Sequence, residues 1–200
     1  MPNKPPRVAI CFPSADTVQA DFALALSGVC LATRGVELVV INPKSSIVAV
    51  ARNNGVERAQ QREADYILFL DSDMIFPADT LMRLLAHKKD IVGALYTKRL
   101  PPYEILGTPL PDATPDANGL VEMKRLPTGC LMIAMDVFTK LPEPYFHFGI
   151  NPETHKLLGE DYAFCDDARF AGFSLWADMK LSQELGHIGQ HICRVPTAQP

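Results

Sequence analysis

Short apolar runs alternate with longer amphipathic stretches through the first half of the chain. Val8 to Phe12, Glu37 to Ile41, Tyr66 to Leu70 and Ile91 to Tyr96 each read as a buried strand bounded by polar or turn-forming residues. Between them lie three helical patterns. Ser14 or Asp16 is placed to cap a helix whose apolar stripe is Val18, Phe22, Leu26 and Val29, with Gly35 as its stop. Ser46 is placed to cap a second helix running to about Arg62, its middle weakened by Asn53-Asn54-Gly55. Pro77 suits the first turn of a third helix that runs to about His87. This alternation predicts an α/β architecture: a Rossmann-like, mostly parallel open sheet flanked by helices, with right-handed crossovers.

The second half is less regular. Leu100 to Asn118 carries Pro101, Pro102, Pro109, Pro111 and Pro115 with little periodicity, and reads as a long surface loop or flap over the site. Val121 to Lys124 reads as a short strand. Cys130 to Met135 is apolar, after which Asp136 is placed to cap a short helix to Leu141. Pro142, Pro144 and Pro152 punctuate another loop. Glu160 to Ala171 reads as a helix closed by Gly172, and Ser174 to Asp178 as a last strand. The whole chain, 1–200, is expected to form a single catalytic domain, with a nucleotide-binding half over about 7–99 and a sugar and acceptor half over about 100–190.

Composition narrows the classes. Hydrophobic residues make up 48% and charged residues 21%, which describes an ordinary globular chain. Net charge is −4 with no Lys/Arg-rich run, so nothing points to nucleic acid. No stretch approaches the roughly 20 apolar residues of a membrane span. Residues Met1 to Arg7 hold no signal-peptide core, and Cys11, Cys30, Cys130, Cys165 and Cys193 are scattered with no C-x-x-C pair. They read as reduced thiols of a cytoplasmic protein rather than a disulfide frame or a zinc site.

The residues with chemical promise follow the third strand. Asp71-Ser72-Asp73 ends the run Tyr66 to Leu70, and ligands of such sheets bind at the carboxyl ends of the strands. Two acids one residue apart on an extended chain point the same way. With no base beside them they repel, unless they share a hard cation that would clamp a diphosphate. A solvated turn is the alternative reading, since Asp and Ser favour turns.

Several segments then line up with one family. Ala51-Arg52-Asn53-Asn54-Gly55 followed by Phe69-Leu70-Asp71-Ser72-Asp73 resembles the nucleotide-binding half of family-2-like glycosyltransferases with the A-type fold, in which the second element is the DXD motif. Gly93 to Arg99 and Thr128-Gly129-Cys130-Leu131 are similar to segments that shape that family's sheet and sugar pocket. Gly159-Glu160-Asp161 resembles its GED motif, and Gly186-His187-Ile188-Gly189 its late GHxG. DXD alone is weakly specific; the ordered set is much stronger.

The resemblance implies a nucleoside-diphosphate-sugar donor and transfer of the sugar to an acceptor hydroxyl. A carboxylate about 4 Å from a phosphate oxygen is repelled by roughly 4 kcal/mol at an effective dielectric near 20, so bare Asp71 and Asp73 would hinder that donor. A divalent ion reverses the sign. By resemblance Asp73 is the direct ligand, Asp71 contacts the ribose or reaches the ion through water, and His187 completes the set. Imidazole with carboxylate suits Mn²⁺ better than Mg²⁺. Asp161 is expected to act as general base with Glu160 orienting the sugar or acceptor, although acids at a helix start also serve the helix dipole. Arg52 and Asn53 would approach the base and ribose, and Lys98 and Arg99 would neutralise phosphate. Ordinary surface roles remain open for those four. His87, His147, His155 and His191 are expected to be structural or exposed, Trp176 to be a core residue, and Asp166-Asp167 to form a wet helix face or to pair with Arg169.

Two other classes compete. Phosphatases of the haloacid-dehalogenase type also place D-x-D after a buried strand, which would make Asp71 a nucleophile. Against this, the strand here is the third, and Ile75 stands where those enzymes carry Thr or Val. A non-catalytic nucleotide-sugar-binding module is the other alternative. The acceptor, whether glycan, lipid, protein or small molecule, is not legible.

Overall fold

A computed structural model describes residues 4–151 and 154–189, and the backbone of 192–194. Met1 to Asn3, Pro152 and His191 lie outside the described residues, as does the Cys193 side chain. The first half follows the expected order with one strand added, β4, and with the strand expected to reach Tyr96 ending at Gly93: β1 (Arg7–Cys11), α1 (Ala20–Ala32), β2 (Glu37–Ile41), α2 (Val48–Gln61), β3 (Tyr66–Leu70), β4 (Met74–Ile75), α3 (Thr80–Ala86) and β5 (Ile91–Gly93). The second half comprises β6 (Thr108–Pro109), β7 (Leu120–Arg125), β8 (Cys130–Ala134), α4 (Met135–Phe138), β9 (Gly149–Ile150), β10 (Leu157–Leu158), α5 (Glu160–Phe170), β11 (Leu175–Asp178), α6 (Met179–Ser182), β12 (Gly186–Ile188) and β13 (Ile192–Arg194).

The central sheet has eight strands in the order β2-β1-β3-β8-β5-β11-β7-β6. β1 pairs in parallel with both β2 and β3, and β11 in parallel with β5. β8 runs antiparallel between β3 and β5, and the β11–β7 and β7–β6 pairs are antiparallel too. The sheet is therefore mixed rather than mostly parallel. The cause is the connection after β5. The chain first forms β6 and β7 at the far edge of the sheet, and β8 then enters beside the carboxyl end of β3, with Cys130 opposite Leu70.

Strand parity sorts the core into two layers. Ala9, Cys11, Ile67, Phe69, Leu131 and Ile133 face one side with Val56 of α2, Phe138 of α4 and Phe164 of α5. Val8, Ile10, Leu68, Leu70, Cys130 and Met132 face the other with Phe22 of α1, Leu81 of α3 and Leu181 of α6. Burying both faces explains why these strands read as continuous apolar runs rather than alternating ones.

Helix starts depart from expectation. α1 begins at Ala20 without a side-chain cap, Ser14 instead bridges to Lys44, and Val18 is 39% exposed. The Ser45 hydroxyl, not that of Ser46, accepts the Ile47 N–H before α2. Pro77 lies ahead of α3 and its carbonyl takes the Thr80 hydroxyl, and α4 starts from Ala134 with no cap from Asp136. Asn53-Asn54-Gly55 does not interrupt α2, because Gly55 is where the helix comes closest to the sheet. A Cβ there would sit 2.5 Å from Cys11 Sγ. The proline-rich stretch is tied down. Thr97 bridges Ile105, β6 pairs with β7, and the Tyr162 hydroxyl accepts the Gly107 N–H.

Candidate active site

The chain turns as soon as β3 ends. The Asp71 N–H donates to the Gly129 carbonyl, and the Met74 N–H returns to the Asp71 carbonyl. The two aspartates therefore sit on a tight turn, where the alternation of an extended strand no longer applies. They face different partners. Asp71 receives the Arg52 guanidinium, Nη1 at 3.1 Å from Oδ1 and Nη2 at 3.4 Å from Oδ2. Asp73 Oδ2 takes Arg99 Nη1 at 2.9 Å and lies 3.5 Å from His187 Nε2. Burial alone would raise the Asp73 carboxyl. His187 and Arg99 outweigh it and hold the group below the usual carboxylate range.

His187 reaches Asp73 through a second, three-stranded sheet. β12 pairs with β4, setting His187 opposite Met74, and the Ile188 N–H donates to the Asp73 carbonyl. The ring is buried, edge-on to Tyr96 at 5.1 Å, with Nδ1 2.7 Å from the Thr97 carbonyl. A carbonyl only accepts, so Nδ1 carries a proton toward it, and Nε2 is the nitrogen presented to Asp73. A ligating histidine is commonly fixed in this way by a carbonyl behind it.

Arg52 is the pivot of the site. Its side chain is 4% exposed, and besides Asp71 it donates from Nε to Glu160 Oε1 at 3.1 Å. One guanidinium thus joins the turn after β3 to the start of α5. It also lies over the Phe69 ring at 5.7 Å. Asp161, the next residue, is half-buried and accepts the Tyr162 N–H. Burial, then the Glu160 charge, push its carboxyl up to about 6 against the pull of Arg52. That places it where a general base works near neutral pH.

Tyr96 forms the floor. Its hydroxyl accepts the Gly129 N–H at 2.9 Å, and burial followed by the Asp71 charge holds the phenol well above its ordinary range. Gly129 is required there, since a Cβ would lie 2.4 Å from that hydroxyl. The sequence offered Tyr96 and Gly129 only within longer motifs. Their contact, and the role of the Thr97 carbonyl, had no signal of their own.

The other expected residues stand elsewhere. Asn53 is clamped to the backbone of Phe146, donating to its carbonyl and accepting its N–H. Lys98 pairs with Glu104. Asp166 is held by Arg125 through two hydrogen bonds and Asp167 by His147, while Arg169 turns to Glu122. His87 pairs with Asp178. Trp176 is half-buried under the Lys89 ammonium at 4.1 Å.

Among the described residues no group of three or more His, Cys, Asp or Glu side chains converges as a complete metal cage. The pair Asp73 and His187 does fit as part of one. Two ligands at about 2.1 Å from a shared ion stand roughly 3.0–3.5 Å apart, and the remaining positions of such ions are usually filled by phosphate or water. Arg99 already places a cation against the same oxygen.

The α/β fold that carries this site is similar to the A-type glycosyltransferase fold. The comparisons agree at that level. The model of the glycosyl transferase family 2 matches residues 36–110, from β2 past the acidic turn to β6. None of the curated proteins matches. Among solved structures, A197 from STIV superposes with a TM-score of 0.62 at 17% identity, covering 96% of this chain and 100% of that one. S. aureus TarS 1–349 gives a TM-score of 0.52 at 14% identity over 86% of this chain, and the same protein in complex with UDP gives the same values. The match spans 60% and 58% of those TarS chains. At such identities the likeness is one of fold. No helix among the described residues is long and apolar enough to cross a membrane.

Proposed function

We propose that the protein is a metal-dependent glycosyltransferase that moves a sugar from a nucleoside diphosphate to an acceptor hydroxyl. One observation carries this reading. Asp73 with His187 on one side, and Asp161 with Glu160 on the other, are drawn to one end of the sheet from segments far apart in sequence and are joined there through Asp71 and Arg52. The family match over the acidic turn and the likeness to a UDP-bound fold support the choice of donor.

Asp73 and His187 Nε2 would hold the ion, Mn²⁺ or Mg²⁺, together with the donor diphosphate. When bound, the ion supplies positive charge to the departing diphosphate. Arg99 would share that charge. Asp161 takes the proton of the attacking hydroxyl, since a carboxyl near 6 is ionised at neutral pH yet basic enough to accept. Glu160, held by Arg52, orients the acceptor. A phosphatase with Asp71 as nucleophile fits less well, because Asp71 is engaged by a buried guanidinium at the attacking oxygens.

A thermal-shift screen of UDP-, GDP-, CDP- and dTDP-sugars with and without Mn²⁺ tests the reading. Saturating donor at about 100 times its Kd adds roughly 2.7 kcal/mol of stability. For a chain of this size that is a rise of about 5–11 °C in Tm. The rise should require Mn²⁺ and vanish in Asp73→Ala. If no donor shifts the transition under either condition, the reading fails.

A further inference from the structure

α2 shows two faces to two different neighbours. Arg52 points into the acid cluster, while Asn54, Glu57 and Gln60 line an open cleft against the segment Glu143-Pro144-Tyr145. The cleft measures about 420 Å³, within the roughly 300–1,000 Å³ common for small-molecule sites. Asn53 and Asn54 of the Arg52 motif belong to its wall, while Asp71, Asp73, Glu160, Asp161 and His187 do not line it.

Its chemistry is selective. Glu57 and Glu143 give the cleft two carboxylates, and neither Lys nor Arg lines it. An anionic ligand such as phosphate would meet uncompensated repulsion. Glu143 Oε1 accepts the Tyr145 hydroxyl at 2.9 Å, and Gln60 Nε2 approaches that hydroxyl at 3.4 Å, so the floor is a fixed polar bridge. The Asn54 amide is half-buried at the rim and makes no hydrogen bond among the described residues. Pro144 and the edge of Tyr145 add an apolar surface. Carboxylate and amide groups around an apolar ring surface match a polyhydroxylated ring: its hydroxyls donate to carboxylates in charge-assisted bonds, and its C–H face packs on Pro144.

The cleft is also coupled to the acid cluster. Asn53 fastens α2 to Phe146, the residue after Tyr145, and the Phe146 ring stacks on Phe164 of α5 at 4.8 Å. One rigid unit thus carries the cleft wall, Arg52 and the helix that begins with Glu160-Asp161.

We propose that this cleft is a subsite for an uncharged sugar unit of the acceptor, away from the reacting hydroxyl. The proposal rests on glycosyl transfer at Asp161, so its acceptor is a glycan or glycoside. Bound there, a sugar unit adds affinity without touching the bond being made, which lowers the acceptor KM and leaves kcat alone.

The test follows the side-chain amide resonances of Asn54 and Gln60 by NMR during titration with the methyl glycosides of glucose, galactose and N-acetylglucosamine. Inorganic phosphate and spermidine serve as controls. Neither donor nor Mn²⁺ is present, so a failure here leaves the donor screen untouched, and a failure of that screen leaves this binding measurable. At least one glycoside should give saturable shifts in the low-millimolar range, with no response to phosphate. Glu57→Gln and Glu143→Gln should each weaken it about tenfold, the loss of one hydrogen bond to a charged group. In transfer assays the same variants should raise the acceptor KM by a similar factor at unchanged kcat. No shift with any glycoside, shifts unaffected by both substitutions, or a response to spermidine alone would each overturn the proposal.

Discussion

Removing the Arg52 guanidinium while keeping its bulk, as in Arg52→Met, tests the centre of the site. The side chain is 4% exposed, its partner Glu160 is 10% exposed and Asp71 is 27% exposed. Breaking a buried pair by deleting one partner costs about 3–5 kcal/mol, because the remaining charge is left without compensation. Here two carboxylates are stranded, although Asp71 keeps some water, so the lower half of that range is the reasoned value. For a 200-residue chain, about 3–4 kcal/mol corresponds to a fall of roughly 6–16 °C in Tm. Urea denaturation of Arg52→Met, Glu160→Gln and the double variant separates the pair from the rest. The double variant should be more stable than Arg52→Met, with a coupling energy of about 1–3 kcal/mol. If Arg52→Met loses less than about 1 kcal/mol, or the double variant shows no coupling, the buried bridge does not hold these segments together.

Three further outcomes are expected. Transfer should follow an acidic limb centred near pH 6, with activity rising as Asp161 loses its proton and lost below that value. Asp161→Asn should remove the limb and cut transfer by roughly 10²–10⁴-fold while donor binding by calorimetry is unchanged. Folding carries the opposite sign. Because the native carboxyl holds its proton to a higher pH than the unfolded one, Asp161 lowers stability as pH rises from about 4 to about 6, and Asp161→Asn should flatten that part of the stability curve. Gly55→Ala should cost about 1–3 kcal/mol in urea through the collision with Cys11 Sγ, and Cys11→Ala should restore most of it; a neutral Gly55→Ala would show that α2 slides freely on the sheet.

The fold of the first half was legible because β1, β2, β3 and the helices between them obey simple periods. The direction of β8 was not. Cys130 to Ala134 is apolar in either orientation, and only the route of the chain through β6 and β7 decides which way it runs. α5 was read to within a residue, since Glu160-Asp161 and Gly172 mark its ends. In the site, Asp73, His187 and Asp161 were named from motifs, and the structure sets the first two side by side. The common direction expected of Asp71 and Asp73 failed because the chain turns between them. The motif resemblance puts Arg52 near the base and ribose, with a water-facing helix position as the alternative, and the structure buries it instead. Its burial depends on two acids 19 and 108 residues away, which no local pattern encodes. The Thr97 carbonyl that sets the histidine tautomer is backbone, identical in kind at every position.

The pairing of β12 with β4 has a consequence for biosynthesis. The aspartate turn emerges early from the ribosome, and its imidazole emerges only after the whole central sheet has been made. Domains tend to gain structure as they are translated. A nascent chain therefore folds most of its scaffold while His187 is still missing. The contact between Asp73 and His187 is made only after the strands of the central sheet have been synthesised.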